Sequence, residues 1–201
     1  MINHTFRKDT KYESSKGFYY DIVAELLLIQ DGLCAYTERL LYNVEEVRAL
    51  EWKDGKLRSP FPKVDGDLEH FDPTLKERKG WLWDNFFMAD HKVNLKWKGT
   101  KSVDKILKPD QPEYDPFHLF KYDFDTHLYL PNSKNLTVAE IERVKKMLLI
   151  LGINSSPTRD LREEVINKII DKIKLETLEW DTIKIKRFPT AIEMLKREHN
   201  A

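Results

Sequence analysis

Apolar positions recur at steps of three and four between Phe18 and Gln30, at Tyr19, Ile22, Val23, Leu26 and Ile29. That is the period of an amphipathic helix, and Gly32 supplies its stop. Residues 1–15 show no such period and read as a loose arm. Segment 34–56 is mixed, with Val44, Val47 and Leu50 as apolar positions, and Pro60, Pro62 and Gly66 make 57–66 a loop. Two strand-length runs follow: 68–71, ended by Asp72-Pro73, and the aromatic-rich 81–88. A short helix is predicted over 90–98, closed by Gly99.

The second half reads as irregular chain over 110–116, then a hairpin over 117–130 that turns near Asp123-Phe124-Asp125. Thr137 and Glu140 form a capping box, with Leu136 and Ile141 as its hydrophobic staple, and open a helix that stops at Gly152. Another helix begins near Ser156-Pro157, with Pro in its first turn. It carries Leu161, Val165, Ile166, Ile169, Ile170 and Ile173 on one face. Trp180 to Ile185 reads as a strand and Thr190 to Glu198 as the last helix. The pattern predicts an α+β fold, a strand–strand–helix unit embedded in a mainly helical chain. Its expected division is a module over 1–108 and a mainly helical lobe over 109–201.

Composition narrows the class. Apolar residues at 41% and charged residues at 34% of 201 suit a folded globular chain. No apolar run approaches the ~18–20 residues that span a bilayer. Arg7, Lys8, Asp9, Lys11 and Glu13 break up any export signal, so the cytoplasm is the expected compartment. Cys34 is the single cysteine, which excludes an internal disulfide framework. The formal net charge is zero, which argues against a protein held on nucleic acid by its overall field. Charge is nevertheless uneven: Lys92, Lys96, Lys98, Lys101, Lys105 and Lys108 face a single acid, Asp104, in that stretch.

The chemistry-bearing residues lie in the same region. They are Cys34-Ala35-Tyr36-Thr37-Glu38, Glu69-His70-Phe71-Asp72-Pro73, Trp83-Asp84-Asn85-Phe86-Phe87, Asp90-His91-Lys92-Val93-Asn94 and Lys98-Gly99. In order and spacing they resemble the HNH nuclease family, in particular the nucleases of bacterial anti-phage systems of the Septu and retron-associated type. Ile106-Leu107-Lys108-Pro109 and Leu151-Gly152-Ile153-Asn154, followed by Arg159 or Arg162, extend the likeness over roughly residues 25–165. The resemblance implies a ββα-metal core, an endonuclease that hydrolyses DNA with one Mg²⁺ or Mn²⁺ per site, an ATPase partner and a role in antiviral defence. No membrane is implied.

Within that resemblance each residue takes an expected role. His70 is the candidate base, because an imidazole titrates near neutral pH. Asn85 is expected to accept from the His70 ring and fix its tautomer. Glu69 and Asn94 offer the oxygen donors that suit Mg²⁺ or Mn²⁺, with His91 as the reserve ligand. Lys92, Lys96, Lys98 and Lys101 are the candidate phosphate contacts. Strand alternation puts Glu69 and His70 on opposite faces, so both reach one phosphate only where the strand bends or ends. In the relatives, two Cys-x-x-Cys pairs hold a zinc ion. Here Thr37, Asp90 and Val93 stand in three of those four places, so no structural zinc is expected. Packing of Val93 with Trp83, Phe87 and Trp97 is expected to take its place. Two alternatives stay open: a catalytically decayed HNH-fold module that docks an ATPase partner or nucleic acid, and RNA as the substrate.

Overall fold

The computed structural model describes residues 19–54, 56–58, 60–76, 82–175, 179–183 and 186–200. The expected loose arm over 1–15 and the start of the run at Trp81 lie outside them.

The first helix, α1 (Tyr19–Ile29), buries Ile22, Val23, Leu26 and Leu27, as its period requires. It ends where the Gly32 N–H bonds Leu27 O at 2.7 Å, with Gly32 at φ 72°. A β-carbon at Gly32 would meet Tyr42 O at 2.1 Å, so both backbone angle and space demand glycine there. Next come α2 (Val44–Arg48), capped by Asn43, and a small ribbon of β1 (Trp52–Lys53) and β2 (Lys56–Leu57). Strands β3 (Gly66–His70) and β4 (Phe86–Asp90) then pair antiparallel, with Glu69 opposite Phe87 and His70 opposite Phe86.

The second run therefore forms strand five residues later than its aromatic content suggests. Trp83–Asn85 is a 3₁₀ turn, because the Asn85 side chain bonds back to Asp72 across the connection. After β4, residues 91–92 lead into a helix wound with the wider π turn over Val93–Lys98. The Gly99 N–H closes it onto Asn94 O at 2.9 Å, and Gly99 takes φ 52°.

The second half follows its signals closely. The expected hairpin opens late: Asp115 caps a short helix, α3 (Pro116–Leu119), before β5 (Phe120–Asp123) and β6 (Leu128–Pro131) pair. The capping box of Thr137 and Glu140 is formed at the head of α4 (Val138–Ile150). Then come α5 (Ser156–Lys174), with Pro157 in its first turn, and α6 (Pro189–His199). Trp180–Thr182 is a 3₁₀ turn rather than the start of a strand, and residues 184–185 lie outside the described residues.

Helices mixed with small antiparallel sheets make the fold α+β. One buried cluster runs from α1 and β4 through α4, α5 and α6. Contacts cross the expected division near residue 108. The Asp104 N–H reaches Met147 Sδ at 3.1 Å, Arg143 forks onto the Asp104 carboxylate, and the Phe188 N–H bonds Glu38 O at 3.0 Å. These contacts join residues on either side of position 108. Among the described residues, no helix is long and apolar enough to cross a membrane.

One position couples the lobe to the site helix. Gly152 ends α4 at φ 61°, and a β-carbon there would stand 2.7 Å from the Trp97 ring. Gly152→Ala combines left-handed strain with that collision and is expected to cost about 1–3 kcal/mol. Urea denaturation measures it; an unchanged midpoint would show that Trp97 yields freely.

Candidate functional site

Strand β3 and the π-wound helix lie side by side. Residues two apart on a strand share a face, and residues about one turn apart on a helix do likewise, so Asp67 and Glu69 can meet Asn94 and Lys98 in turn. They do so. The Asn94 amide Nδ2 lies 3.4 Å from Asp67 Oδ2, and the Lys98 ammonium pairs with Glu69 Oε1.

Glu69 is closed in. Its side chain and that of Lys98 are each 1% exposed, and the Tyr36 hydroxyl donates to Glu69 Oε2 at 2.5 Å. Both carboxylate oxygens therefore have partners within the protein. Tyr36 itself packs against the Phe71 and Phe87 rings, 6.3 and 5.7 Å between centroids, so it is held from behind. This accounts for the Cys34-Ala35-Tyr36-Thr37-Glu38 segment at both ends. Tyr36 holds Glu69, while the Glu38 carboxylate accepts from the Thr190 N–H at 3.0 Å and from its hydroxyl, anchoring α6.

His70 lies on the opposite face of β3, half-buried, with its ring edge-on to Phe86 at 4.9 Å. The chain leaving it, from the His70 carbonyl to Asp72, is held by Lys98 and Asn85. Lys98 Nζ donates to His70 O at 2.7 Å, and the Phe71 N–H donates to Asn85 O at 2.8 Å. The Asn85 carboxamide accepts from Asp72 N at 2.8 Å and donates to Asp72 O at 3.0 Å. Asn85 thus acts as a backbone clasp one step beyond His70. It does not take the expected place on the imidazole, because its amide is fully matched to the Asp72 peptide groups.

The expected ligand pair fares similarly. Glu69 and Asn94 sit on neighbouring turns of the interface but take different partners, Lys98 and Tyr36 in one case and Asp67 in the other. A lysine ammonium beside Glu69 already supplies the positive charge that a divalent ion would bring. The Glu69–Asn94 pair therefore does not fit a shared ion. Lys98, expected on a phosphate, is instead buried on Glu69 and His70. The remaining candidates, Lys92, Lys96 and Lys101, are exposed, as is Lys105. Lys96 Nζ lies 5.7 Å from the Trp97 ring centroid and Lys101 Nζ bonds Trp97 O. Lys108 is buried against Phe71 and Phe87 and bonded to Asp110 at 2.5 Å.

The four positions compared with zinc ligands come together at one corner. Asp90 N donates to Cys34 Sγ at 3.4 Å, Arg39 pairs with the Asp90 carboxylate, and Val93 is buried. Burial pushes the Cys34 thiol's pKa up, against the bonds it receives. An ion pair stands at this corner, and Val93, Trp83 and Phe87 are all buried. Fully burying such a large apolar side chain contributes about 1.5–3 kcal/mol.

Two site residues, Asp67 and Tyr36, have no role assigned from the sequence, although Tyr36 lies within one of its motifs. Asp67 shares the Glu69 face by strand alternation, a signal that was available. Tyr36 joins the site from 33 residues away, and no local pattern shows it. No family model matches the chain, and no curated protein matches it.

Proposed function

We propose that this chain is an endonuclease hydrolysing DNA phosphodiester bonds on a ββα-metal core, with His70 as its general base. The observation that carries the reading is the hold on the His70 main chain. Lys98 and Asn85, from two other elements, fix the chain from the His70 carbonyl to Asp72, directly after a half-buried imidazole, as proton transfer in a defined place requires. His70 would take the proton of the attacking water as its oxygen bonds to phosphorus, and the displaced sugar oxygen would leave. Lys92, Lys96 and Lys101 would hold the neighbouring phosphates. The strand–strand–helix order supports the ββα core, and the sequence resemblance supports DNA as substrate. The resemblance alone supports Mg²⁺ or Mn²⁺ as cofactor, an ATPase partner and a place in antiviral defence. Glu69, held by Lys98 and Tyr36, has both carboxylate oxygens engaged within the protein.

That same closure of Glu69 favours a second reading, a decayed HNH-fold module that binds a partner or nucleic acid without cutting it. A cleavage assay separates the two. Supercoiled plasmid and a matched RNA are incubated with the protein and Mg²⁺ or Mn²⁺, with and without a co-expressed ATPase. Nicked or linear DNA is expected, and cutting of the RNA alone would make the substrate RNA instead. Intact DNA under every condition, with DNA still bound, supports the second reading.

A further inference from the structure

Asp67, unlike Glu69, faces outward at the head of β3 with its side chain 30% exposed. Two side chains from the start of the next helix converge on one of its oxygens. His91 Nδ1 stands 2.7 Å from Asp67 Oδ2, and the Asn94 amide 3.4 Å from that same atom. The arrangement follows from local structure. Asp67 is paired with Ala89, two residues before His91, so the chain leaves β4 beside Asp67. His91 and Asn94, three apart on a helix, share one side of it.

We propose that Asp67, His91 and Asn94 form a binding site for one divalent transition-metal ion. Two donors about 2.1 Å from one ion and at right angles to each other stand about 3 Å apart, close to the spacing seen here. A carboxylate oxygen, an imidazole nitrogen and an amide oxygen form a mixed set that suits Mn²⁺ and its neighbours. The amide presents its oxygen by a half-turn of the carboxamide. Among the described residues no three His, Cys, Asp or Glu side chains converge, so the amide is needed as the third donor. The half-exposed His91, at 48%, leaves the ion's outer positions open to water or phosphate. The site keeps Asn94 from the expected ligand pair, and replaces the sealed Glu69 with the carboxylate two residues earlier.

This inference does not rest on DNA cutting, and its test needs no substrate. The full-length protein is titrated with MnCl₂ at neutral pH while free Mn²⁺ is followed by electron paramagnetic resonance. One ion per chain is expected, with a nitrogen hyperfine coupling from a bound imidazole. Asp67→Asn and His91→Ala should each weaken binding at least tenfold, and His91→Ala should remove that coupling. Circular dichroism confirms that both variants fold. Absence of saturable binding in the wild type overturns the proposal. So does binding unchanged in both variants, or binding lost only in Glu69→Gln. Cleavage without Mn²⁺ at this site would leave the nuclease reading standing while this one fails.

Discussion

Lys98→Met is expected to destabilise the protein by about 3–5 kcal/mol, because it leaves a buried carboxylate without its countercharge. Methionine keeps much of the lysine stem's length and apolar packing, so the loss reports charge rather than volume. The ammonium bridges Glu69 Oε1 and His70 O, with both ionic side chains shut away from solvent. After its removal, the Tyr36 hydroxyl still donates to the Glu69 side chain, but carries no countercharge. Glu69→Gln added to Lys98→Met removes the stranded charge and should recover a large part of the loss. Urea midpoints of the wild type, the single and the double variant measure this. A loss under about 1 kcal/mol in the single variant would mean that water or another cation reaches Glu69.

The second large effect concerns chemistry. His70→Ala should lower DNA cleavage by about 10²–10⁴-fold, the range typical of removing a positioned general base. The fold should be little affected, since the grip on this residue acts on main-chain atoms. The His70 carbonyl still accepts from Lys98, and Asn85 still clasps Asp72. The ring's contact with Phe86 is among the packing that is lost. His70→Ala and Lys98→Met thus separate the roles of two neighbouring groups: the first removes activity at constant stability, the second removes stability.

Much of this architecture was legible in the chain. The helix over residues 19–29 follows from its apolar steps, and the helix opened by Thr137 from its capping box, because both signals are local. Leu68 to Phe71 marked a strand, and Asp72-Pro73 its end. Less legible was anything decided by contacts far apart in sequence. Trp83–Asn85 has strand-like composition yet coils into a turn, since Asn85 reaches back 13 residues to Asp72. Trp180–Thr182 shows the same limit. At the site, the residue types were readable but not their partners. Lys98 could be placed one turn beyond Asn94, yet only the packing of the helix on β3 turns it inward onto Glu69. Tyr36 and Asp67 enter through that same packing.

The most direct measurement is a single-turnover comparison of wild type and His70→Ala on supercoiled plasmid with Mg²⁺ or Mn²⁺. Urea midpoints of both proteins are taken alongside. The expected result is cutting by the wild type and its near-complete loss in the variant at an unchanged midpoint. Equal rates in the two proteins would contradict the assignment of the base to this imidazole.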